Sequence, residues 1–176
     1  MREKYVKRGN LVWALFWWAL ALGWIYILFY FSGQDAVTSS GISGRLTLGL
    51  LRRLPFLNVN EGTFEHILRK LAHFGIFAME GFLMRVAFYN TKPRKFWNNV
   101  FAAIPCCGLA VLNELHQLTA DGRACSTRDM VIDSSGALLG IIVAGVLCWM
   151  CESMYIRRRY SQMTRKKKKI AFEEDE

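Results

Sequence analysis

Four blocks of apolar residues divide the chain, and they differ in how cleanly apolar they are. From Leu11 to Phe31 no charged residue occurs. At about 1.5 Å rise per residue, that run just spans a hydrocarbon core about 30 Å thick. A soluble core helix seldom needs to be apolar on every side for so long. The apolar region of a signal peptide is shorter, about 7–15 residues, and leads to a small-residue cleavage site. This run instead ends in Phe29-Tyr30-Phe31. It predicts an uncleaved membrane-spanning helix over 11–31. Three further spans are predicted at about 71–89, 100–118 and 130–151, each interrupted by polar residues. His73, Glu80 and Arg85 interrupt the second, Glu114 and Gln117 the end of the third, and Asp133 the start of the fourth.

The connections differ as well. Between Gly41 and Leu57, leucines recur at helical intervals with Arg45, Arg52 and Arg53 among them, and Pro55 closes the stretch. That pattern suits a short helix lying in the outer interface; an ordered loop packed on the bundle is the alternative. Trp13, Trp17, Trp18, Trp24, Tyr26 and Tyr30 decorate the first span. Those near its ends fit aromatic belts, and the rest fit lipid contact.

Charge then sets the orientation. The chain carries +9 overall, yet no basic face interleaved with stacking aromatics points to nucleic acid. The basic residues fall in three places: Arg2, Lys4, Lys7 and Arg8; then Lys92, Arg94 and Lys95; then Arg157, Arg158, Arg159, Arg165 and Lys166–Lys169. With four spans all three lie on one side, which lysine and arginine bias makes cytoplasmic. The expected protein is an all-α, polytopic, multi-pass cell-membrane protein with four transmembrane helices and a short outer interfacial helix. The N-terminus (1–10) and the tail (152–176) would be basic and cytoplasmic, flanking a membrane domain over 11–151.

Helix direction gives depth. Arg69, Lys70 and His73 fall near the outer end of the second span, Glu114 and Gln117 near that of the third, and Asp129 and Asp133 near that of the fourth. Gln34 follows the first span on the same side. A charge at the bilayer centre costs at least about 2.5–3.5 kcal/mol, so such groups need partners or water. Gly136 and Gly140 continue the Asp129–Asp133 stripe as a GxxxG pattern that admits a neighbouring backbone. The predicted site is therefore an outward cleft. Its walls would carry His73, Glu114, Gln117, Asp129 and Asp133, and Arg69, Lys70, Arg123 and Arg128 would supply positive charge. Paired charges that hold helices in register are the plain alternative. Glu80 is deeper and stands alone.

These residues resemble the motifs of the VanZ-like family. Arg69-Lys70-Leu71-Ala72-His73-Phe74, followed by Phe77 and Gly81, looks like its Lys-x-x-His-Phe motif. Asn113-Glu114-Leu115-His116-Gln117, followed by Arg123, looks like its Glu-x-x-Gln…Arg element. Asp129 to Asp133, followed by Gly136 and Gly140, is similar to its Asp-x-x-x-Asn/Asp-x-x-Gly ending, and Phe31-Ser32-Gly33-Gln34 to its Phe-Ser-x-Gln. The resemblance covers about Leu11 to Gly145. Family members often carry Tyr at Phe77, an acid at Ile76 and Asn at Asp133. The resemblance implies a bacterial cell-envelope protein, with a link to resistance to the glycopeptide teicoplanin.

Three function classes follow. A binding module would hold a membrane lipid head group, a lipid-linked wall precursor or a lipoglycopeptide, with Arg69, Lys70 and Arg123 pairing to phosphate or carboxylate. An envelope-lipid enzyme would use His73 as base and Glu114 or Asp133 as orienter or acid. A helix-packing partner of another membrane protein would use the polar layer structurally. No cofactor is expected. Nor is a metal, because short His/Cys ligand spacing is missing; His73, Glu114 and Asp129 are the residues that would have to supply one.

Overall fold

The computed structural model describes residues 11–34, 36–53, 59–91 and 97–174. The basic clusters at 1–10 and 92–96, with Lys92, Arg94 and Lys95, lie outside the described residues, as does Pro55. Five helices follow in order: α1 Leu11–Ser32, α2 Ala36–Arg53, α3 Glu61–Thr91, α4 Trp97–Gln117 and α5 Thr127–Glu174. No strand occurs among the described residues. Helices α1, α3, α4 and the first part of α5 are long and apolar enough to cross a membrane.

Capping explains two boundaries that apolarity misplaces. The span expected to begin at 71 starts ten residues earlier, at Glu61. The side-chain oxygen of Asn60 accepts the backbone N–H groups of Gly62 (3.0 Å) and Thr63 (3.4 Å), which is N-cap chemistry. Ser126 begins α5 in the same way, its hydroxyl accepting the Asp129 N–H at 3.4 Å. At its other end, α5 does not stop at Cys151. No Gly or Pro interrupts the sequence from Met150 to Glu174, so the helix continues into the basic segment expected as a separate tail.

Two seams hold the bundle. Along α1 the buried positions Ala14, Ala21 and Leu28 recur every seven residues and face α3. There the Trp24 indole donates to the Ile76 carbonyl at 3.0 Å, and the Trp18 indole to the Thr91 hydroxyl at 2.9 Å. The closer seam joins α3 to α5. A Cβ placed on Gly136, Gly140 or Gly81 would collide with the backbone of Phe74, Ala78 or Ala137 respectively. Backbone thus lies directly on backbone, the arrangement small residues permit inside a membrane. Most other large apolar side chains of the spans, such as Ile104, Val131 and Ile142, face outward. That suits lipid as solvent.

The helix expected between Gly41 and Leu57 is present as α2, begins at Ala36 and packs against α3. The Ser43 hydroxyl donates to Glu65 at 2.6 Å across that contact. Leu46 and Leu48 remain exposed.

Candidate functional site

Three helices deliver polar side chains to the α2 end of the bundle. α3 enters there with Lys70 and His73, α4 leaves there with Glu114 and Gln117, and α5 starts there with Asp129 and Asp133. The close α3–α5 seam lies one turn below, so it draws Asp133 inward: its side chain is fully buried, and so is Glu114. Donor atoms of His73, Glu114 and Asp133 all lie within 4.8 Å of one another. His73 Nδ1 stands 3.5 Å from Asp133 Oδ1. Both Asp133 oxygens lack a hydrogen bond.

Glu114 is oriented rather than free. Its Oε1 accepts the Gln117 amide N–H at 2.9 Å, one turn along the same helix. Its Oε2 accepts the backbone N–H of Ser126 at 2.9 Å. That N–H belongs to the capping residue of α5, so Glu114 ties the end of α4 to the start of the next helix. Gln117 passes the link outward, its Oε1 accepting from Arg123 at 3.2 Å. The turn carrying Arg123 reverses at Gly122, which has φ 72°, a left-handed conformation that favours glycine.

Asp129 does something else. It pairs with Lys70 across the α3–α5 interface. The metal-capable trio imagined with Asp129 is thereby corrected: Asp133, one turn deeper, is the acid that meets His73 and Glu114. Arg128 is exposed and lines neither cavity described below, so it does not join the cluster.

Two cavities adjoin here. One, of about 200 Å³, is walled mainly by apolar side chains of α1, α2 and α3, among them Leu28, Phe31, Leu46, Ile76 and Phe77; Gln34 and Asn113 also line it. The other, of about 180 Å³, is polar and includes Lys70, Gln117 and Asp129. Arg69, His73 and Arg123 line both. An apolar slot therefore opens beside a polar chamber, with two guanidinium groups and an imidazole at the junction.

Glu80 proves separate. It is buried on the stripe shared with Arg69, His73 and Phe77, but it faces Cys106 of α4 and lines neither cavity. The Cys106 thiol is its side-chain hydrogen-bond partner among the described residues. Sequence reasoning missed Asn113 as a lining residue, although it adjoins Glu114 in the chain. It also missed a second polar group at the far end of the bundle. There Arg85 is buried, donates to Asn99 of α4 and lies 5.7 Å from the Tyr89 ring. A polar residue on each of two antiparallel helices, Arg85 and Asn99, was the available signal.

The fold and this arrangement define a multi-pass all-α membrane protein with a polar cluster at one end of its bundle. The family model described as VanZ/LLP1 matches residues 17–149, most of the chain. The protein belongs to the VanZ/LLP1 family. No curated protein matches the chain, and neither does any solved structure.

Proposed function

We propose that the α2 end faces the outside of a bacterial cell membrane and binds an anionic amphiphile. The ligand would be a lipid-linked wall precursor, a lipid head group or a lipoglycopeptide. The observation that carries this is the pair of adjoining cavities sharing Arg69, His73 and Arg123. An acyl or prenyl chain suits the apolar slot, and a phosphate or carboxylate suits the guanidinium groups beside it. The Arg157–Lys166 segment of α5 leaves the bundle at the opposite end. By the positive-inside rule, that basic segment supports a cytoplasmic location for that end and for both termini.

The test uses a bacterial host whose teicoplanin susceptibility changes when this gene is deleted. Arg123→Ala and Asp133→Ala, inserted at normal levels, should behave like the deletion. Full restoration of wild-type susceptibility by both variants would sink the reading.

A second reading is favoured by one contact, the imidazole of His73 beside Asp133 with Glu114 close by. A base and an oriented acid in that relation can catalyse proton transfer on an envelope lipid. Glu114→Gln separates the readings. Turnover of a labelled wall-lipid intermediate by purified protein would be abolished in an enzyme, whereas binding alone would only weaken.

A further inference from the structure

The trio of His73, Glu114 and Asp133 has a property that neither an anion site nor a helix-packing contact explains. Two wholly buried carboxylates stand together, one of them without any hydrogen bond. Buried charges are ordinarily paired, hydrogen-bonded or bound to a metal. Lys70, one turn before His73 on α3, is engaged by Asp129. What the two acids do have is an imidazole, and all three donors come from different helices to within 4.8 Å of one another.

We infer that His73, Glu114 and Asp133 bind a divalent transition-metal ion of the zinc or manganese kind. One imidazole nitrogen with two carboxylate oxygens suits those ions. Magnesium is disfavoured, since it prefers oxygen and water to imidazole. The surroundings supply what ligating side chains need. Gln117 and the Ser126 N–H fix Glu114, the role that outer partners play around metal ligands. Gly136 and Gly140, by bringing α5 onto α3, set the separation of Asp133 from His73. Three protein donors leave at least one coordination position for water or a ligand oxygen. His73 lines both cavities, so an oxygen of a bound phosphate or carboxylate lies in the right neighbourhood to take it. The inference does not rest on the cavities holding a lipid; an ion at this trio needs only the three side chains.

The experiment uses the full chain, purified in detergent and stripped with a chelator. Titrated with Co²⁺, it should take up one equivalent and develop visible absorption bands, which Zn²⁺ should displace. His73→Gln and Asp133→Asn should each weaken uptake at least tenfold. Asp121→Asn, at an exposed turn, should leave uptake as it is. Should either variant misfold, the wild-type titration alone decides. No stoichiometric uptake by stripped wild-type protein overturns the inference. So does uptake unaffected by both ligand substitutions, because the ion would then be bound elsewhere.

Discussion

The two ends of the bundle solve the same problem in different ways. Each must place polar groups where three helices meet. At the far end, Arg85 is buried, bonded to Asn99 and laid near Tyr89. Its neighbourhood joins α3 to α4 and to the Cys148–Glu152 turn of α5. At the α2 end the polar groups are more numerous, although the far end too keeps unmatched buried atoms, Arg85 Nη1 and Asn98 Nδ2. Lys70 and Asp129 pair, but Asp133 is left without a hydrogen bond, and Arg69 makes no ion pair among the described residues. Leaving buried groups unmatched costs stability at either end. What sets the α2 end apart is the kind of unmatched group, a carboxylate, Asp133, beside an imidazole that lines two adjoining cavities.

The largest expected effect sharpens what both ends share, the α3–α5 seam. Gly140→Ala forces a methyl into the Ala78 backbone and should cost about 1–3 kcal/mol or more by overpacking. The melting temperature in detergent should fall by several degrees, while Gly23→Ala, with open space around it, should leave it unchanged. Equal stability of the two variants would break the backbone-contact account.

Next comes the contrast itself. Removing Arg85 deletes a buried charge-assisted bond, and such bonds contribute about 1.5–3 kcal/mol. Arg85→Ala should lower thermal stability by that order. Arg69→Ala should leave stability nearly as it is and impair ligand retention instead. A large stability loss at Arg69 would erase the difference between the ends.

The smallest effect concerns the Lys70–Asp129 pair, whose side chains are 23% and 17% exposed. Exposed pairs are worth about 0–1 kcal/mol, and this partly buried one, still reached by water, should fall near the top of that range. A double-mutant cycle with Lys70→Met and Asp129→Asn, read by thermal unfolding, measures the coupling. A value of several kcal/mol would make the pair a structural clamp like the far end.

Much of this was legible from residues. The uncharged run Leu11–Phe31, the four spans and the gathering of His73, Glu114, Gln117, Asp129 and Asp133 at one end follow from apolar length and helix direction. Gly136 and Gly140 announced the close seam because no side chain there can keep a backbone away. What stayed hidden depends on rotation and register between helices. Asp129 and Asp133 lie one turn apart on one stripe, and the pattern cannot say which meets His73 and which meets Lys70. For Arg128, at a loop end, surface pairing and a site role read as equally open from the sequence; Arg123 is the one whose side chain reaches back to Gln117. The early start of α3 was readable in Asn60 as a cap, but apolarity alone hides it. The length of α5 follows from missing helix breakers rather than from its apolar block.

The central claim is that the α2 end, and not the far end, holds an anionic amphiphile. Native mass spectrometry of the purified protein, titrated with a polyprenyl phosphate, tests it directly. Wild-type protein should retain one molecule, the paired substitution Arg69→Ala with Arg123→Ala should weaken retention at least tenfold, and Asn99→Ala at the far end should not. Equal retention by the double variant and the wild type, or loss on Asn99→Ala alone in folded protein, would contradict the account.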